Sequence, residues 1–168
     1  IGLRQVGKTT LMIQLAKKYF DEFINIEDLV TKNDIKVSSS NKKDFIFGEA
    51  DIVICTTPVY AGRLPNKILP FIQEKIKGNG ALAITINVFG NRNYDNAPIE
   101  FYNEMKKNGF DVVAVAAVPT EHVFLEEIGQ GRPNSQDMFN VQDFAQKVGK
   151  KILSGNYSSD LEIPGAYP

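Results

Sequence analysis

Three apolar runs, Ala50 to Thr56, Ala81 to Phe89 and Asp111 to Val118, are hydrophobic at nearly every position rather than at alternate ones. A strand of that kind must be covered on both faces, which is the signature of a parallel sheet between layers of helix. The intervening segments have helical spacing. Asn66 reads as an N-cap, Pro70 is tolerable in the first turn, Ile68, Leu69, Ile72 and Ile76 share a face, and Gly78 ends the helix. Asn96 reads as the next N-cap, with Pro98 in the first turn and Gly109 beyond the end. From Ser135, the residues Met138, Val141, Phe144, Ala145, Val148 and Ile152 mark a last helix.

Upstream, Ile1 to Leu3 reads as the end of a truncated strand, Thr10 to Phe20 as a helix, and Phe23 to Ile26 as a short second strand. Thr31 to Lys43 is polar and reads as a loop or weak helix. Five strands separated mainly by helices predict an α/β protein with three layers and a doubly wound parallel sheet. Ligands bind such sheets outside the carboxyl ends of the strands. The stretches to examine are therefore Arg4 to Thr10, Thr57 to Pro65, Gly90 to Asn96 and Pro119 to Pro133.

Composition narrows the class. A chain of 168 residues fits one domain, expected over 1–153, with 154–168 as a linker or tail. Nineteen basic and twenty acidic residues leave no basic surplus to hold nucleic acid. No stretch approaches the ~18 consecutive apolar residues of a membrane span, and no signal peptide is visible. The single cysteine, Cys55, lies within an apolar run and reads as a buried, inert thiol. One cysteine excludes an iron–sulfur cluster or a Cys-rich zinc site within the chain. With no disulfide pattern, the expected compartment is the cytoplasm.

The chain opens with Gly2-Leu3-Arg4-Gln5-Val6-Gly7-Lys8-Thr9, a full match to the phosphate-loop pattern. Its glycines let the backbone wrap an anion, and the following helix presents its positive end. Under an ATPase reading, Lys8 reaches the β- and γ-phosphates and Thr9 holds magnesium. The first twenty residues resemble the Walker A segment of one group of AAA-type ATPases. The acidic partner that such a site needs does not follow the main apolar strands. Ile52 to Cys55 leads into Thr56-Thr57-Pro58, and Val112 to Val118 ends at Pro119. Glu27 and Asp28, after the short second strand, are the only acidic candidates.

Two later loops carry different chemistry. Thr57-Pro58-Val59-Tyr60-Ala61-Gly62 puts an aromatic ring and a glycine beside a buried strand end. A flat ligand needs an aromatic face, and a glycine lets the backbone approach its edge. Gly90-Asn91-Arg92-Asn93-Tyr94-Asp95 offers backbone donors, an amide, a guanidinium and a second tyrosine.

The paired stretches Pro-Val-Tyr-Ala-Gly-Arg-Leu-Pro and Val-Phe-Gly-Asn-Arg-Asn-Tyr-Asp resemble the flavodoxin-like domain of flavodoxin–ferredoxin fusion proteins. Glu121-His122, Gly129-Gln-Gly-Arg-Pro133 and Asp137 continue the resemblance, which runs from about residue 45 to 153. It implies a flavodoxin-like strand order 2-1-3-4-5 and FMN as cofactor. Thr57, Pro58, Val59, Tyr60, Ala61 and Gly62 would border the flavin ring, with Tyr60 stacking on it. Gly90, Asn91, Arg92 and Tyr94 would border its other side, with Glu121 and His122 at the rim. His122, the only histidine, would make a structural or rim hydrogen bond.

Flavodoxins hold the FMN phosphate with a Ser/Thr-x-Thr-Gly-x-Thr loop, which here reads Arg4 to Thr9. Gly7 and Thr9 match, while Arg4 and Val6 replace hydroxyl residues. Backbone N–H groups near Gly7, the Thr9 and Thr10 hydroxyls and the Lys8 charge would hold the phosphate. In the fusion family a Pro-Gly-x-x-Pro stretch like the one at residues 164–168 leads toward a domain with two iron–sulfur clusters. The resemblance therefore implies an electron carrier with a ferredoxin-type iron–sulfur protein or domain as its partner. The alternatives are a P-loop ATP-binding protein or ATPase remnant, and a flavin-dependent NAD(P)H or quinone reductase on the same fold.

Overall fold

The apolar runs become parallel strands because their backbone groups pair sideways while their side chains fill both faces. The computed structural model describes residues 24–25, 44–122, 124–125, 127–157 and 161–166. In chain order the described elements are β1 (Ile24–Asn25), β2 (Phe45–Ile46), β3 (Ile52–Pro58), α1 (Leu69–Lys75), β4 (Ile76–Lys77), β5 (Leu82–Phe89), α2 (Ala97–Lys107), β6 (Asp111–Pro119) and α3 (Ser135–Ser154).

The main sheet runs β1-β3-β5-β6 with every pair parallel. Val53 to Cys55 align with Ala83 to Thr85, and Thr57 lies opposite Asn87. A register shift between Ala83 and Ile84 marks an irregularity against β6. One face packs Val53, Cys55, Ala83 and Val112 with Leu64, Ile68, Ile72, Phe101, Met105 and Phe110 from α1, α2 and the loops that flank them. The other face packs Ile54, Ile84, Val113 and Ala114 with Val148 of α3. Helices on both faces of a parallel sheet give the three-layer α/β architecture that the apolar runs predict. Cys55 is buried in the first cluster, and burial pushes its thiol up to about 12, so it is an inert packing group.

The expected order 2-1-3-4-5 places Ile1 to Leu3 beside the third strand. Those residues lie outside the described set. The neighbour hydrogen-bonded to Cys55 and Thr56 of β3 is Ile24–Asn25, the strand expected one position further out.

The helix after β3 starts later than Asn66 suggests. Pro65 O accepts from both Ile68 N–H and Leu69 N–H, making 65–68 a turn, and α1 begins at Leu69 with Pro70 in its first positions. It also ends earlier, at Lys75. The chain straightens at Ile76 to pair Ile76–Lys77 with Phe45–Ile46 in a separate parallel ladder. The start of α3 is sharply set by Asn134, which accepts from Gln136 N–H and Asp137 N–H while Asp137 accepts from Asn134 N–H.

Candidate functional site at the carboxyl edge of the sheet

Strand adjacency brings three loops together, because β3, β5 and β6 are neighbours and all end on the same edge. After β3, Tyr60 N–H donates to Arg63 O at 3.0 Å and Arg63 N–H donates to Tyr60 O at 3.1 Å. Ala61 and Gly62, with φ of 50° and 76°, form the tip. Two successive positive φ values define a type I′ turn, a conformation that costs Ala61 about 1 kcal/mol and Gly62 little. The turn leaves Tyr60 half out in solvent, at 52% exposure.

The turn is anchored on the start of α2. Gly62 O accepts from Asn96 N–H at 3.0 Å. A Cβ at Gly62 would fall 2.7 Å from Asp95 Cβ, so this approach requires glycine. On the other side, the Glu100 carboxylate accepts from Arg63 Nε at 3.0 Å, Arg63 Nη2 at 2.6 Å and Leu64 N–H at 2.8 Å. Burial pushes the Glu100 carboxyl up. The hydrogen bonds from Arg63 and Leu64, with the charges of Arg63 and Lys107, outweigh that and hold it below the usual carboxylate range.

The loop after β5 meets the loop after β6. Thr120 N–H and Oγ1 both donate to Phe89 O. A Cβ at Gly90 would lie 2.9 Å from His122 Cδ2 and 3.1 Å from His122 Cα. Asn91 Oδ1 accepts from Arg132 Nη1 at 3.0 Å, and Arg132 also faces Asp137 at 3.6 Å. Glu121 Oε1 accepts from Gly131 N–H at 2.9 Å. His122 Nδ1 accepts from Phe124 N–H and Leu125 N–H at 3.2 Å each, which in the neutral ring leaves the proton on Nε2.

The residues singled out in the sequence thus fall into distinct places. Thr57 and Pro58 are buried at the end of β3, with Thr57 Oγ1 donating to Pro58 O. Val59 N–H donates to Val88 O, continuing the ladder beyond the strand. Tyr60, Ala61 and Gly62 make the turn. Gly90 and Asn91 face the His122 and Arg132 side, and Arg92 is exposed. Tyr94 packs edge-on against Phe89, centroids 5.3 Å apart. Gly7, Lys8, Thr9 and Thr10 lie outside the described residues.

Two features of this edge carry little sequence signal. The Arg63–Glu100 pair joins residues 37 apart, and nothing in either segment names the other. Asn87 is fully buried, and among the described residues neither its Oδ1 nor its Nδ2 has a hydrogen-bond partner; the same holds for Thr85 Oγ1. An unpaired buried carboxamide costs about 1–3 kcal/mol. Its one visible signal is a polar residue inside the apolar run of β5.

Among the described residues, no three His, Cys, Asp or Glu side chains gather as a metal site requires. No helix there is long and apolar enough to cross a membrane.

No family model matches the chain, and no curated protein matches it. A solved structure of rubredoxin oxygen:oxidoreductase from the anaerobe Desulfovibrio gigas is similar at 17% identity and a TM-score of 0.41. The likeness covers 66% of this chain and 25% of that one.

Proposed function

We propose that this chain is an FMN-binding, flavodoxin-like electron carrier that exchanges electrons with an iron–sulfur partner. The supporting observation is the meeting of three loops at one sheet edge, with an exposed tyrosine on a glycine turn at one side and a glycine-bearing polar loop at the other. The residues fit a flat ring with a polar edge. Gly62 and Gly90 let the loops pack closely on Asp95 and on His122, which fixes the two sides of the site relative to their neighbours. Tyr60 presents an aromatic face, and Asn87 supplies an uncommitted donor and acceptor beneath the edge.

When bound, FMN supplies the electron-accepting and electron-donating chemistry. Tyr60 would cover one ring face, while the loop 90–94 borders the other. The Arg63–Glu100 pair and the Asn96 N–H bond hold the Tyr60 turn in register. Glu121, Arg92 and Arg132 set the local charge and so tune the potential. No proton transfer by the protein is required. Gly7, Lys8, Thr9 and Thr10 would hold the phosphate, as the sequence resemblance implies.

The test is direct. The purified protein carries a flavin spectrum or takes up added FMN with quenching of its fluorescence; a colourless protein that takes up none overturns the reading. Steady-state oxidation of NAD(P)H by the loaded protein would make it a reductase instead of a carrier.

The Walker A match favours a second reading, ATP binding at Gly2 to Thr9. ATP bound at least as well as FMN, and lost in Lys8→Ala, would support it over the flavin reading.

A further inference from the structure

Asn96 stands at the start of α2 as an N-cap, yet its side chain makes no capping bond. Its Oδ1 instead accepts from Ala166 N–H, 70 residues further along, at 3.0 Å. Its backbone N–H donates to Gly62 O at the tip of the turn. One residue therefore touches the tail with its side chain and the turn with its main chain.

The tail is held at other points as well. Leu161 packs against the cluster that contains Phe101 and Met105. Gly165, with φ of 123°, passes so close that a Cβ there would lie 2.7 Å from Ile99 Cγ2 and 3.3 Å from Asn96 Cα. Only glycine adopts that backbone conformation at little cost, and only glycine leaves that space. The choice of residue is specific to the close approach.

We infer that residues 161–166 form a strap that fixes the turn at 60–63 through Asn96, so that the grip on a ligand at that turn depends on the tail. Asn96 is a positioning residue. It fixes the Gly62 carbonyl, and with it the direction of the Tyr60 ring, while the tail removes the freedom of Asn96 to turn toward the helix N–H groups. The dependence on ligand grip rests on the flavin reading; the mechanical link does not.

The experiment uses the full chain with Gly165→Val, Asn96→Ala and Asn96→Asp. Valine at 165 lifts the strap without touching the turn. Alanine at 96 removes the acceptor, and aspartate keeps one. Hydrogen exchange reads the amides at 61–64, and fluorescence quenching reads the FMN dissociation constant. Gly165→Val and Asn96→Ala are expected to speed exchange at 61–64 and to raise the FMN dissociation constant, each roughly five- to tenfold, the scale of one lost hydrogen bond. Asn96→Asp is expected to restore both.

A general loss of packing would lower the melting temperature of all three variants without rescue by aspartate, and that pattern overturns the strap. Unchanged exchange in Gly165→Val overturns the strap as well, and faster exchange with an unaltered dissociation constant overturns its effect on ligand grip. If the parent chain binds no FMN, the flavin reading fails, and the exchange data alone decide the strap.

Discussion

The same strands differ between their two ends. At the amino end both faces are apolar, with Val53, Ile54, Ala83, Ile84, Val112 and Val113 buried. From mid-sheet at Thr85 toward the carboxyl end, Thr56, Thr57 and Asn87 are just as buried beside Val88 and Val118, with Thr120 immediately beyond β6. Burying methyl groups stabilises a fold; burying hydroxyls and a carboxamide does so only where they find partners. Two of these polar residues, Thr85 and Asn87, find none among the described residues. The amino end of the sheet is thus purely apolar, and the other half mixes buried polar groups into the core beneath the three loops, the end at which parallel sheets bind ligands.

Phe110→Ala is the strongest attempt to separate the two ends. Phe110 is buried before β6, its ring 5.8 Å from that of Phe47. Its truncation is expected to cost about 3–5 kcal/mol in chemical denaturation. FMN affinity below the melting temperature should be unaltered; a matching loss of affinity would show that the ends are not independent.

Glu100→Ala acts at the other end. It strands the Leu64 N–H and releases Arg63, for an expected loss of about 1–3 kcal/mol together with weaker FMN binding. Because the folded carboxyl is held below its ordinary value of 4.5, its contribution is present above that pH and is lost as pH falls through the folded value. The parent and Glu100→Ala denaturation curves should therefore converge in acid.

Cys55 sits between the ends. The folded protein keeps its proton up to about 12, whereas the unfolded chain releases it near 9.0. The native state therefore loses stability as pH rises through that window. The advantage of the parent over Cys55→Ala should shrink by about 1.4 kcal/mol between roughly pH 8 and 10. An unchanged difference would place Cys55 in contact with water.

Asn87→Leu has the smallest expected effect. It removes the unpaired carboxamide at similar volume and should change stability by no more than about 1 kcal/mol, neutral or favourable. A loss above about 2 kcal/mol would reveal a hydrogen-bonded Asn87 and weaken the contrast between the ends.

Much of this architecture is legible in the linear chain. The strands β3, β5 and β6 announce themselves because continuous apolar runs have few other uses, and α2 and α3 because their apolar residues recur at helical spacing. The two-residue strands β2 and β4 carry no such period, and their pairing depends on where α1 stops. Asn66 and Asn96 look alike as N-caps. Asn66 lies within the 65–68 turn, and Asn96 gives its side chain to residue 166, since a carboxamide bonds whatever N–H reaches it first. For the site, the aromatic and glycine residues at strand ends are visible, whereas Asn87 shows only as a polar interruption.

By itself the sequence determined which segments form the long strands β3, β5 and β6, that helices cover both faces, and which loops end up at the carboxyl edge, because hydrophobic periodicity is local. Only the tertiary structure decided that Ile24–Asn25 lies beside β3, that Arg63 finds Glu100, and that Ala166 returns to Asn96. These contacts join residues tens of positions apart. Each is selected by the geometry of the packed chain, which no local pattern encodes.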